Sequence, residues 1–112
     1  MRRISVDVED SVGSVSRKAF AGQMLVEEFE SKVPGLPAGS RFFAAQGADH
    51  RLALWQTSNS SADLAEEFRI YSSFEEARGE DFGEPAHPVG WPKDFLAAVA
   101  AALGEEYEEP GL

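Results

Sequence analysis

The sequence predicts one α+β domain, a small, mainly antiparallel sheet packed by two helices in the order β-α-β-β-β-α. Three observations carry this expectation. Ile4, Val6 and Val8 alternate with Ser5, Asp7 and Glu9. Two apolar runs, 41–46 and 51–57, flank the turn-forming Gly47-Ala48-Asp49-His50. Apolar residues also recur at helical spacing in two stretches, early in the chain and near its end. The domain is expected over residues 1–104, with 105–112 as an acidic, frayed tail.

Each element has its own argument. The opening alternation has the period of a strand with one wet face. Asp10 or Ser11 can cap a following helix, because a short polar side chain accepts from the free amides of a first turn. Val12, Val15, Ala19, Val26, Phe29 and Val33 then recur at helical spacing with Glu27, Glu28 and Glu30 outward, which predicts a helix firmest over 16–32. Gly13 and Gly22 count against it. Two prolines and two glycines in 34–39 require a turn.

In the hairpin that follows, Leu52 and Leu54 point one way and Ala53 and Trp55 the other, so its second strand should be covered on both faces. Residues 62–78 fit a strand or a helix. The aromatic and β-branched content of Phe68-Arg69-Ile70-Tyr71 favours a strand over 67–72, then a short helix capped by Ser72 or Ser73 and ended at Gly79. Gly83, Pro85, Pro88 and Gly90 make 80–91 an irregular loop. Pro92 suits the start of a final helix, Phe95, Leu96, Val99 and Leu103 form its apolar face, and Gly104 ends it.

Composition narrows the chemistry. A chain of 112 residues buries about 65% of its unfolded surface, enough for one core. It has no cysteine, which removes disulfides, thiolate metal sites and thiol nucleophiles and fits a reducing compartment. No apolar run has signal-peptide length, and the longest low-polarity stretch, 95–103, is too short to span a bilayer. The expected location is cytoplasmic. Residues 1–56 carry equal numbers of acidic and basic groups, so the net charge of −10 arises wholly in 57–112. Such a surface repels nucleic acids and anionic membranes and attracts basic partners; solubility alone is the simpler reading.

Motifs for chemistry are missing. Asp49-His50 has the composition of an oriented general base, but neighbours in a turn rarely act so, and Asp before a polar residue is ordinary turn chemistry. The serines of 58–61 lack a nucleophile elbow, and no glycine-rich phosphate cradle is present. Glu80-Asp81-Phe82-Gly83-Glu84 is too short and irregular for a calcium loop. No catalytic residue, metal or cofactor is therefore expected.

The same loop reads better as a contact surface. Asp81, Phe82, Glu84, His87 and Trp91 mix carboxylates with aromatics, as interfaces do when aromatic anchors sit within a charged rim. The competing reading folds Phe82 and Trp91 inward, with Trp91 closing the core against the last helix. The functional expectation is a small acidic protein-binding module that inhibits or regulates a basic protein, of the kind that immunity proteins and antitoxins represent by size and charge. A structural or assembly subunit, and a small enzyme or small-molecule binder without a linear motif, are the alternatives.

Overall fold

The chain was described from a computed structural model, which describes residues 2–9, 12–33, 35–36, 39–58, 61–78 and 91–104. Five strands are followed by two helices: β1 Arg2–Glu9, β2 Val15–Phe29, β3 Arg41–Gly47, β4 Leu52–Ser58, β5 Ser61–Tyr71, α1 Phe74–Arg78 and α2 Lys93–Leu103. The strands form a closed barrel in chain order. This corrects the expected α+β sheet packed by two helices, both in order and in architecture. An up-and-down barrel with an odd number of strands must close on a parallel pair, and β1 meets β5 in parallel through Asp7–Leu64 and Val8–Ala65.

The largest correction falls on 16–32, where the expected helix is the long strand β2. It pairs antiparallel with β1 from Arg2–Gly22 to Glu9–Val15 and with β3 from Gly22–Gly47 to Phe29–Phe42. The register slips between Met24 and Val26 and again between Val26 and Phe29, and Glu28 has a φ of 50°. A bulge adds a residue to one strand and shifts its inward phase. Phe20 and Met24 therefore pack inside the barrel, while Leu25, Val26 and Phe29 pack against the outer, helix-covered core. Read in a line, this broken alternation imitates the spacing of a helix. Val12 and Val15, assigned to the helical stripe, are 82% and 54% exposed. Gly13 turns the β1–β2 connection at a φ of 86°, and Gly22 lets β2 approach β3 so closely that a Cβ there would sit 2.5 Å from the Gln46 carbonyl oxygen.

The remaining elements follow the sequence reading more closely. β3 and β4 form the hairpin, turning at 48–50, with His50 at a φ of 68° and its N–H donated to the Gly47 carbonyl at 2.9 Å. β5 overlaps the strand assignment from 67 to 71, stops one residue short of Ser72 and extends the strand toward the N-terminus to Ser61. Ser73 Oγ accepts from Glu76 N at 3.4 Å at the start of α1, and Glu76 accepts in return from Ser72 N at 2.7 Å. Pro92 caps α2, and Gly104, at a φ of 75°, ends it. Asp94 ties α2 to the β2–β3 connection by accepting from Ser31 Oγ at 2.8 Å and Lys32 N at 2.6 Å.

The core has two layers separated by the barrel wall. Ile4, Val6, Ala45, Ala53, Trp55 and Ala65 fill the interior. On the outside, Phe42, Leu52, Leu54 and Tyr71 pack against Phe74, Phe95, Leu96 and Val99 of the helices. β4 is thus apolar on both faces, Leu52 and Leu54 outward under the helices and Ala53 and Trp55 inward. No helix among the described residues is long and apolar enough to cross a membrane.

Candidate functional site

Of the five residues expected to contact a partner, Asp81, Phe82, Glu84 and His87 lie outside the described residues. Trp91 is described and points inward: it is 2% exposed, and its Nε1 donates to the Tyr71 hydroxyl at 2.7 Å. Its ring meets Phe42 edge-on at 6.4 Å and lies 5.9 Å from Phe95. An indole is large and mostly apolar but carries one donor, so it is stable in a core only where that donor finds an acceptor. Tyr71, at the end of β5, supplies one. Trp91 thereby pins the approach to α2 onto the barrel.

The Asp49-His50 pair is turn chemistry. Asp49 accepts from Arg51 N at 3.2 Å and from Arg51 Nε at 2.5 Å. Hydrogen bonds from the Arg51 side chain, then from its backbone, hold the Asp49 carboxyl below the usual carboxylate range. The carboxylate is committed to a guanidinium rather than to the imidazole, and His50 is exposed. Among the described residues no group of three or more His, Asp or Glu side chains is placed to hold a metal ion.

The charges divide as the sequence divides them. In the first half, Arg2 pairs with Glu27, Arg17 with Asp7, Arg41 with Glu30 and Arg51 with Asp49. In the second half the described residues form one ion pair, Arg69 with Glu67. Glu66 and Glu75 are exposed and have no cationic partner among the described residues. Asp94 and Glu76 accept from backbone amides and serve the fold. Among the described residues, four ion pairs neutralise charge in the first half and one does so in the second.

Two hollows border the barrel among the described residues. One, of about 250 Å³, is bordered by Phe20, Ala53 and Ile70 with the Asp49–Arg51 pair at its edge. The other is larger, about 630 Å³, and its walls include Ile4, Met24, Phe43, Trp55, Thr57 and Ala65. Arg2, Arg3, Asp7 and Glu27 border it. Phe43 and Trp55 are cross-strand partners whose rings stack at 5.5 Å and 2°. The sequence reading assigned none of these residues to a site. The two-faced phase of β4 is legible in the sequence, but the space beside it exists only because the sheet closes.

Comparison of the chain with protein-family models, with curated proteins and with solved structures finds no match. The narrower expectation of an inhibitor or immunity protein rested on size and charge alone, nothing in these comparisons supports it, and it is dropped.

Proposed function

We propose that this protein is a small binding module for a basic protein. The observation that supports the reading is the unequal neutralisation of charge. Four ion pairs balance the first half, whereas the excess of −10 in the second half meets a single described ion pair. An uncompensated field of one sign accelerates the encounter with partners of the opposite sign and repels phosphate backbones. Because Trp91 is committed to the core, the contact falls to Asp81, Phe82, Glu84 and His87, with the carboxylates steering and Phe82 as the anchor.

The test is capture of proteins from the source cells on the immobilised chain at low salt, beside the variant Glu66→Lys/Glu75→Lys. The reading expects a basic protein that is released by salt and retained less by the variant. Retention of acidic or neutral proteins only, equal on both surfaces, contradicts it.

A further inference from the structure

We propose that the outer edge of β5 beyond Ala65 is a self-association surface, on which a second copy of this chain adds its own β5 antiparallel, with Phe68 opposite Phe68 of the second copy. This goes beyond the protein-binding reading and does not depend on it.

The edge is left open by the way the barrel closes. β1 and β5 pair at Asp7–Leu64 and Val8–Ala65, and β1 ends at Glu9. β5 runs on to Tyr71 with β4 on one side and, among the described residues, no strand on the other. The direction of its backbone groups follows from the neighbouring hairpin. Gly47 N donates to Arg51 O at 2.8 Å, so the odd-numbered residues of β4 turn their N–H and C=O toward β3, and Leu52, Leu54 and Gln56 turn theirs toward β5. Their partners Tyr71, Arg69 and Glu67 face back, which leaves Phe68 and Ile70 with N–H and C=O directed away from β4. A row of such groups is a template for another strand. The Ile70 side chain, 52% exposed, adds apolar surface at the same place.

The occupant follows from the side chains. In antiparallel pairing centred on Phe68, the two Phe68 residues exchange backbone hydrogen bonds. Glu67 then stands opposite Arg69 of the second copy, in the non-hydrogen-bonded position where side chains approach most closely. Glu67 and Arg69 are partly exposed and already joined at 3.5 Å within one chain, so the second copy completes a cluster of two carboxylates and two guanidinium groups. Ile70 lies diagonal to Phe68 of the second copy on the other face. The adjacent registers are penalised, because centring on Glu67 sets two carboxylates opposite each other and centring on Arg69 sets two cations so. A uniformly basic or acidic foreign strand would suit one of the two charged residues and repel the other. The net charge of −10 on each copy opposes association, and salt screens that long-range repulsion more than the contacts across the edge.

Sedimentation velocity of the whole chain, from micromolar to millimolar concentration, tests the association, and amide hydrogen exchange locates it. The expected result is a reversible dimer that strengthens with added salt, opposite to the salt response expected for a basic partner. The Phe68 and Ile70 amides should exchange fast in the dilute chain and slow as it dimerises, while those of Glu67 and Arg69, bonded to β4, stay slow throughout. Glu67→Arg and Arg69→Glu each set like charges across the edge and should weaken self-association by about tenfold. An equimolar mixture of the two variants restores both opposite-charge contacts and should dimerise. Ile70→Pro removes an outward N–H without breaking a bond to β4 and should abolish the dimer. Should it fail to fold, the two charge variants and their mixture decide alone. A chain that stays monomeric at millimolar concentration overturns the proposal. So does a dimer indifferent to both charge variants, or slow exchange of Phe68 and Ile70 in the dilute monomer, which would mean that the chain covers its own edge.

Discussion

Removing one oxygen from Tyr71 should destabilise the protein measurably. Tyr71→Phe keeps the ring, which is 6% exposed, and takes away the acceptor of the 2.7 Å hydrogen bond from Trp91 Nε1. Trp91 is 2% exposed, so water does not readily replace the lost partner. A buried donor left unsatisfied costs about 1–3 kcal/mol. For a domain of this size, with a urea slope of about 1–3 kcal/mol/M, the midpoint should fall by roughly 1 M. Urea unfolding followed by near-ultraviolet circular dichroism measures the loss. A double-mutant cycle with Trp91→Phe isolates the pair, with an expected coupling of at least about 0.5 kcal/mol. Trp91→Phe also leaves Trp55 as the one remaining tryptophan, so its fluorescence reports the barrel interior separately. A Tyr71→Phe midpoint within error of wild type would refute the claim that this bond holds the chain before α2 against the barrel.

The two core layers should respond alike. Leu54→Ala, under the helices, and Trp55→Ala, inside the barrel, should each cost about 2–5 kcal/mol in chemical denaturation, and a loss below about 1 kcal/mol for Trp55 would mean that the interior is not packed around it. Asp49 titrates below its ordinary range because Arg51 stabilises the charged form, so its contribution is present at neutral pH and disappears as pH falls through the lowered folded value. Asp49→Asn should therefore melt below wild type at pH 7 and converge with it in acid; a gap that widens in acid contradicts the assignment. A mobility-shift assay with random duplex should show no sub-micromolar, salt-sensitive binding, because the described basic groups of the first half are largely paired with carboxylates.

The parts of the fold that were legible in the sequence are those with a local cause. Gly47-Ala48-Asp49-His50 marks its turn through backbone preferences, and Pro92 and Gly104 bracket α2 by chemistry confined to its ends. β2 was not legible because its alternation breaks at two bulges, so Val26 and Phe29 fall into helical spacing by coincidence. Closure was not legible because Asp7 and Val8 pair with Leu64 and Ala65 far along the chain, and nothing near either pair announces it. Trp91 illustrates the same limit at the level of a side chain. A tryptophan ahead of a proline-started helix reads equally well as an anchor for a partner or for the core, and the position of the Tyr71 hydroxyl decides between them. Trp55 was readable as a covered strand residue, while its stacking on Phe43 required the closed barrel.

The central claim is that the acidic half recruits a basic protein, and the on-rate of the captured partner tests it most directly. Association is followed as added salt shortens the screening length from about 30 Å to about 8 Å. The account expects the on-rate to fall by at least about tenfold over that range. It expects Asp81→Lys/Glu84→Lys to lower the low-salt on-rate and Phe82→Ala chiefly to raise the off-rate. A chain lacking residues 105–112 should bind as wild type does. An on-rate indifferent to salt contradicts the steering claim, and loss of binding in the truncated chain, with Asp81, Glu84 and Phe82 variants intact, places the contact in the tail instead.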